Sequence, residues 1–141
     1  ELVQQVIDAQ PHIIAHNMET VRRLTPEVRS VARYDTSLSV LEQIAQSGIT
    51  CKTGIMVGLG ETPQEVEELM DDLRAIGCQI LTIGQYLQPS HRHYNVAEYV
   101  TPEQFKRYKE LGLSKGFKQV ESAPLVRSSY HAEQSLAFLK K

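Results

Sequence analysis

The stretch that decides the fold is "TCKTGIMVGLGETPQEVEELMDDLRAIGCQILTIGQYL", residues 50–87. Residues 50–60 have the apolar pattern of a buried strand, and so do residues 78–87. Between them lies a helix signal in which Thr62 is the N-cap, Pro63 occupies the first helical position and Glu65 completes a capping box. Apolar residues follow at helical spacing, and Gly77 ends the segment. A strand, a helix and a strand in this order predict two parallel strands joined by a right-handed crossover.

The same alternation continues on both sides of this unit. The sequence predicts further strands over 12–17 and 117–126, and helices over 1–10, 36–48, 101–116 and 132–141. Residues 18–35 are Arg-rich and interrupted by Pro26, which indicates a loop with helical turns. We expect an α/β fold of parallel strands alternating with helices, either a small open sheet or half of a barrel. Residues 1–141 form one predicted domain, which ends in the segment 123–141.

Composition limits the function classes. The chain has 141 residues, a net charge of −2 and 41% hydrophobic residues, which argues against a basic nucleic-acid surface. No apolar run approaches the ~18–20 residues of a membrane span, and no secretory signal is visible. Cys51 and Cys78 form neither a disulfide framework nor a Cys-x-x-Cys metal motif. We therefore expect a cytoplasmic protein. The first residue lies inside a helical pattern, as if the chain were cut from a larger protein.

Polar residues gather where the predicted strands end, which is where α/β folds of this kind bind ligands. After the first strand, His16, Asn17 and Glu19 offer donors and acceptors for hydroxyls and amines. Arg22 and Arg23 follow, and guanidinium groups suit carboxylates. A polar, motif-free loop with an exposed basic face is the alternative interpretation.

The second strand end combines two glycines with Glu61 just before a helix. Glycines allow a ligand to approach the backbone, and a carboxylate suits an amine or the hydroxyls of a ribose. The spacing is neither the dinucleotide fingerprint nor a phosphate-binding loop, and an ordinary strand-to-helix turn would look the same. Earlier in the strand, Lys52 is either a salt-bridge partner or a carboxylate-binding residue.

The last two strand ends carry other residue types. Tyr86 and Leu87 suit stacking on a flat ring. His91 and His93 would face the same side of an extended segment, but no third metal ligand is evident, so a structural loop or one that lines a substrate is favoured over a metal site. The final stretch, "APLVRSSYHA" at 123–132, contains serines and a histidine without a nucleophile elbow, which disfavours a hydrolase.

Taken in order, five blocks resemble the lipoyl synthases, a family of radical S-adenosylmethionine (SAM) enzymes. The blocks are "HNMETVRRL", "VRSVARYDTSL", "KTGIMVGLGET", "DLRAIGCQILTIGQYLQPS" and "PLVRSSYHA". The resemblance implies a partial (β/α) barrel and a sulfurtransferase activity. In the family, a four-iron, four-sulfur cluster cleaves SAM to a 5′-deoxyadenosyl radical, which abstracts hydrogen from two carbons of a protein-bound octanoyl chain. A second four-iron, four-sulfur cluster is consumed as the sulfur donor.

The resemblance also implies roles for individual residues and partners. One serine of the Arg-Ser-Ser-Tyr motif ligates iron of the auxiliary cluster, which points to Ser128 or Ser129, with Ser128 favoured, and places Arg127 near the reacting groups as a catalytic residue. Five positions match motifs that line the cavity for SAM and substrate: Asn17, Glu19, Glu61, Gln85 and Tyr86. The implied partners are octanoylated lipoyl carrier domains of 2-oxoacid dehydrogenases, the H protein of glycine cleavage, and an electron donor such as flavodoxin or ferredoxin. Neither nucleic acid nor membrane is implied.

One departure from the family is large. The cysteine motifs that hold the two clusters in lipoyl synthases are missing from this sequence, and Cys51 and Cys78 match no cluster position. Thiolates are the usual ligands of such clusters. We therefore expect the chain to be the C-terminal half of such an enzyme, inactive by itself. The alternatives are another sulfur-inserting radical enzyme and a non-catalytic α/β domain that binds SAM.

Overall fold

A computed structural model describes residues 2–9, 12–25, 34–88 and 95–124. Four helices and four strands are present in these ranges, together with a 3₁₀ turn over Arg22–Leu24. The helices are α1 (Leu2–Asp8), α2 (Tyr34–Gln46), α3 (Pro63–Ala75) and α4 (Pro102–Ser114). The strands are β1 (Ile13–Ala15), β2 (Thr50–Val57), β3 (Ile80–Gln85) and β4 (Gln119–Ser122). The predicted terminal helix over 132–141 lies outside the described residues.

The four strands form one parallel sheet in the order β1-β2-β3-β4. The helices pack on one face of it, as right-handed crossovers require. The Sγ atom of Cys51 lies 3.5 Å from the carbonyl oxygen of Leu41 in α2, and Ser122 donates to the carbonyl of Phe105 in α4 at 2.7 Å. The side chains of Cys51 and Ser122 therefore both point from the sheet toward the helices. The predicted fold, parallel strands alternating with helices as in a partial barrel, is confirmed.

Local chemistry sets the ends of the best-predicted helix. The Thr62 hydroxyl accepts from the backbone N–H of Glu65 at 3.2 Å, and the Glu65 carboxylate accepts from the backbone N–H of Thr62 at 2.9 Å. This is the predicted capping box, and such a cap contributes about 1 kcal/mol. Helix α4 begins in a similar way, since the Thr101 side chain accepts from the backbone N–H of Gln104 at 3.2 Å.

Strand β1 is shorter than the sequence predicts because a side chain replaces part of the ladder. The Thr53 hydroxyl, fully buried in β2, donates to the carbonyl of His16 at 2.8 Å and accepts from the N–H of Met18 at 3.2 Å. The chain therefore leaves regular pairing after Ala15 and makes one isolated parallel bridge, between Glu19 and Ile55. Sequence periodicity carries no signal for a threonine that acts on a neighbouring strand.

The outer edges of the sheet lead to a prediction about association. Among the described strands, β1 and β4 each have a neighbour on one side only. Unpaired strand edges invite pairing with another chain. We expect the 141-residue chain to self-associate at micromolar concentration, and sedimentation velocity over a dilution series measures this directly. A monomer with a single cooperative thermal transition at every concentration would contradict the expectation.

Candidate ligand site at the carboxyl edge of the sheet

The structure brings the predicted site residues of the described chain to one edge of the sheet. The backbone N–H of Glu19 donates to the carbonyl of Gly54 at 3.1 Å, and its carbonyl accepts from Met56 at 2.9 Å. On the other side of β2, Gln85 pairs with Val57, and the N–H of Tyr86 donates to the Val57 carbonyl at 2.8 Å. The ends of β1 and β3 therefore flank the last turns of β2.

At the end of β1, the backbone is held in an unusual conformation. Glu19 has φ of 71° and is the one non-glycine residue with a positive φ in the described chain. For a side chain other than glycine this conformation costs roughly 1 kcal/mol or more, and such residues cluster at functional sites. The two backbone hydrogen bonds to β2 keep it in place. The side chains of Asn17 and Glu19 are both half-buried.

The two arginines after this segment hold the structure together. Arg23 binds the Glu65 carboxylate at 2.8 Å and the Gly60 carbonyl at 2.8 Å. Arg22 binds Asp35 at 2.7 Å and lies 4.3 Å from the centre of the Tyr34 ring. These contacts attach the 3₁₀ turn to α2 and α3. Both guanidinium groups thus bind carboxylates of the protein itself, a contact that neither interpretation of the sequence specified.

Glu61 organises the turn between β2 and α3. Its side chain accepts from the backbone N–H groups of Gly58 at 3.1 Å and Leu59 at 3.0 Å. Burial raises the pKa of Glu61, while these two donors act in the opposite direction. The carboxylate also lines a cavity of about 160 Å³ with Glu98 and Tyr108. Burial and the two nearby carboxylates raise the pKa of Tyr108 to about 12.

Glu61 should make a measurable contribution to the pH dependence of stability. Because its pKa is raised in the folded state, the stabilisation is fully present below the ordinary pKa of a glutamate and is lost as pH rises through the folded value. Glutamine does not titrate, so in Glu61→Gln we expect the contribution of this residue to the pH dependence of the unfolding free energy to vanish. The free energy of unfolding at acid pH should fall by about 1 kcal/mol, since the two oxygens of the protonated acid can each accept one backbone N–H, whereas the NH2 group of the amide cannot accept. Urea unfolding between pH 4 and 8 tests this, and parallel curves for the two proteins would refute it.

Gln85 uses its side-chain amide within the fold. The Nε2 group donates to the carbonyls of Tyr86 at 3.0 Å and Glu98 at 2.9 Å, and Oε1 accepts from the N–H of Val100 at 2.8 Å. The amide thereby fastens the segment 95–100 across the end of the sheet. The predicted cofactor role of Gln85 stays a prediction, with this structural role beside it.

Tyr86 and Leu87 follow Gln85 at the same edge. Tyr86 is buried, with 6% of its surface exposed, and burial raises its pKa. Leu87 is 51% exposed. Stacking of a ligand ring on either side chain stays a prediction.

Five residues for which the sequence suggests a function lie outside the described ranges: Arg127, Ser128, Ser129, His91 and His93. The described chain ends at Pro124, whose carbonyl accepts from the N–H of Gln85 at 3.4 Å. Ala123 donates to the carbonyl of Ile83 at 3.1 Å. The continuation of β4 therefore arrives at the same carboxyl edge, three positions before the Arg-Ser-Ser-Tyr motif begins.

The metal-ligating residue types are dispersed in the described chain. Cys51 and Cys78 are fully buried, and Cys51 faces α2. The described residues contain no group of three or more His, Cys, Asp or Glu side chains arranged to hold a metal ion. Nor does any helix in these ranges have the length and apolar character needed to cross a bilayer.

Comparison with known proteins identifies the class first. The family model of the radical SAM superfamily matches residues 1–73, and the chain belongs to that superfamily. Its fold matches the crystal structure of Streptococcus suis SuiB with a TM-score of 0.68 at 12% identity, over 94% of this chain and 31% of that one. SuiB bound to S-adenosylmethionine matches with a TM-score of 0.66 at 11% identity, over 86% of this chain and 28% of that one. At 11–12% sequence identity, this similarity shows a shared fold and nothing more.

Within the superfamily, the particular relatives are lipoyl synthases. The chain is 72% identical to that of Phocaeicola vulgatus over 138 residues, which is 98% of this chain and 49% of the relative. It is 72% identical to that of Bacteroides fragilis over 141 residues, 100% of this chain and 49% of the relative. With that of Treponema denticola it shares 63% over 134 residues, 95% of this chain and 46% of the relative. The chain spans about half the length of these relatives, and the match favours lipoyl synthase over both alternatives.

Proposed function

We propose that the protein carrying this sequence is a lipoyl synthase, which inserts two sulfur atoms into an octanoyl chain attached to a lipoyl carrier domain. The observation that carries the proposal is identity of 72% to lipoyl synthases over 98–100% of the chain. Bound SAM and a reduced iron–sulfur cluster would supply the radical that abstracts hydrogen from the octanoyl chain. A second cluster would supply the sulfur.

The residues at the carboxyl edge fit SAM. The ligand has ribose hydroxyls and an ammonium group, and the half-buried Asn17 and Glu19 offer an amide and a carboxylate beside β2. Glu61 still has acceptor capacity, because two N–H groups occupy only part of its lone pairs. We assign Asn17 and Glu19 to binding the cofactor. Glu61 shapes the turn beneath it and borders the site.

The described residues do not provide a ligand set for an iron–sulfur cluster. We therefore propose that the ligand that this chain contributes to the auxiliary cluster is Ser128 or Ser129. Arg127 would act beside the reacting groups. Thiolates are the usual ligands of such clusters, so a serine oxygen would be an unusual ligand at that position. The proposed partners are octanoylated carrier domains, including the H protein of glycine cleavage, and flavodoxin or ferredoxin as electron donor.

The test uses the full-length protein that contains this sequence, reconstituted with iron and sulfide. It is incubated with SAM, a reductant and octanoylated H protein, and mass spectrometry follows the carrier and 5′-deoxyadenosine. We expect a lipoyl group on the carrier, and at least a tenfold loss of product in Ser128→Ala with Ser129→Ala, about 1.4 kcal/mol or more. Glu68→Gln, on the exposed side of α3, is the control variant.

Two outcomes would contradict the proposal. Formation of 5′-deoxyadenosine without any lipoyl product would indicate a different substrate. Binding of SAM without its cleavage, in protein with full cluster content, would indicate a non-catalytic domain. Unchanged turnover and iron content after replacement of both serines would remove the ligand assignment alone.

A further inference from the structure

The pairing of the first strand with β2 slips by one residue just before the candidate site. After the pair Ala15–Lys52, the next bridge joins Glu19 to Ile55. Three residues of the chain after β1 therefore lie opposite two residues of β2. An extra residue on one strand is a β-bulge, which is rare between parallel strands and frequent next to active sites, where it changes the direction of a side chain. Asn17, a proposed ligand of SAM, is the middle residue of this bulge.

The hydroxyl of Thr53 makes hydrogen bonds that replace the regular ladder at the bulge. Its Oγ1 atom donates to the carbonyl of His16 at 2.8 Å and accepts from the N–H of Met18 at 3.2 Å. These two backbone groups lie in the two peptide units that flank Asn17. A single side chain of β2 therefore holds the backbone of Asn17 from both directions. Thr53 is fully buried, so water cannot easily replace the hydroxyl as a partner.

The neighbouring cofactor residue is held in a different way. The N–H of Glu19 donates to the carbonyl of Gly54, and the carbonyl of Glu19 accepts from the N–H of Met56. Substitution of a side chain leaves both of these backbone hydrogen bonds in place. The backbone around Asn17 depends instead on the identity of the residue at position 53. The two halves of the proposed SAM site thus differ in their sensitivity to substitutions in β2.

Threonine suits this position because both functions of its hydroxyl are used. A hydroxyl donates and accepts at the same time, which an aliphatic side chain of the same shape cannot do. The methyl group on Cβ restricts rotation about χ1, so the hydroxyl keeps its direction. Valine has the shape of threonine without the hydrogen bonds, and serine has the hydroxyl without the methyl group. The two substitutions therefore separate the hydrogen bonds from the packing.

We propose that Thr53 is a positioning residue of the cofactor site, whose hydroxyl holds the bulge and thereby presents the Asn17 amide to SAM. The half-buried side chain of Asn17 lies at the carboxyl edge, and its direction follows from the two peptide units that Thr53 binds. A hydrogen bond to a ligand weakens steeply when its length or angle leaves the optimal range. This role of Thr53 rests on the proposed function, which makes Asn17 a ligand of SAM.

The first measurement is isothermal titration with SAM, in the full-length protein that contains this sequence. We expect Thr53→Val to weaken SAM binding by about tenfold or more, and Thr53→Ser to stay within about threefold of wild type. Thr25→Val is the matched control, because Thr25 is equally buried and its hydroxyl donates to the carbonyl of Val21 at 2.9 Å. Both valine variants should lower the thermal midpoint. Only Thr53→Val should change the affinity for SAM.

A double-mutant cycle tests whether Thr53 acts through Asn17. When Asn17→Ala has removed the amide, its backbone has no ligand group left to position. Thr53→Val should then weaken SAM binding by less than about twofold in the Asn17→Ala background. Hydrogen exchange of the ligand-free protein adds a readout that does not involve SAM. The amide of Met18 should exchange faster in Thr53→Val than in wild type, and Thr53→Ser should restore its protection.

Three results would overturn the positioning role. They are unchanged SAM affinity in folded Thr53→Val, effects of Thr53→Val and Asn17→Ala that simply multiply, and a Thr53→Ser protein that binds SAM as weakly as Asn17→Ala. The serine variant decides the question if the valine variant does not fold. Failure of the proposed function is read separately: loss of lipoyl product with intact SAM binding leaves the role of Thr53 standing. A wild-type protein that binds no SAM would remove the assignment of Asn17, and the role of Thr53 with it.

Discussion

Replacing Gly58 with alanine should destabilise the protein by about 3–5 kcal/mol, a large fraction of the stability of an ordinary domain. A methyl group there would lie 2.2 Å from Nε2 of Gln85 and 2.4 Å from the carbonyl oxygen of Glu98. Gly58 also has φ of +92°, a conformation that costs alanine roughly 1 kcal/mol. Its carbonyl accepts from the N–H of Ala97 at 2.7 Å, so the strand end cannot move without breaking further contacts.

Gly48 provides a matched control for the backbone cost. It has φ of +88°, and no atom in the described chain lies within 4 Å of where its methyl would be. Gly48→Ala should therefore cost only about 1 kcal/mol. The difference between the two variants in urea unfolding measures the steric clash at Gly58. Equal losses of unfolding free energy in the two variants would show that the segment 95–100 moves aside freely. That result would contradict the attachment of this segment by Gln85.

The best-predicted parts of this fold depend on local chemistry. Thr62, Pro63 and Glu65 act within one helical turn, so the sequence reveals the start of α3 directly. The alternation of strand and helix patterns likewise leads to a parallel sheet, since few topologies satisfy short, right-handed connections. The glycines that end β2 predict a turn, and Gly58 and Gly60 both have positive φ.

What the sequence did not reveal depends on partners distant in the chain. Gln85 fastens residues 98–100, 13 to 15 positions away. Thr53 shapes the exit of β1 from a neighbouring strand, 35 and 37 positions away. Arg23 meets Glu65 42 positions away. No residue pattern specifies which of several polar side chains will find such a partner, so motif positions alone could not separate scaffold roles from ligand roles.

Two variants of Glu19 can distinguish a structural role of this residue from a role in binding SAM. Its backbone is strained at φ of 71°, and its side chain is half-buried at the carboxyl edge. Glu19→Gln removes the charge and keeps the strain. Glu19→Gly removes the charge and the strain together, at the cost of a more flexible unfolded chain.

If Glu19 binds SAM, both variants should weaken SAM binding by roughly 10–100-fold, the value of one charge-assisted hydrogen bond. Their stabilities should nevertheless stay within about 1 kcal/mol of wild type, because relief of strain and added chain entropy nearly cancel in the glycine variant. Titration calorimetry with SAM and urea unfolding measure the two quantities on the same preparations. A purely structural Glu19 would give the reverse pattern, in which SAM affinity is unchanged and only stability responds. The positive φ would then be a consequence of the bridge to Ile55 and of nothing beyond it.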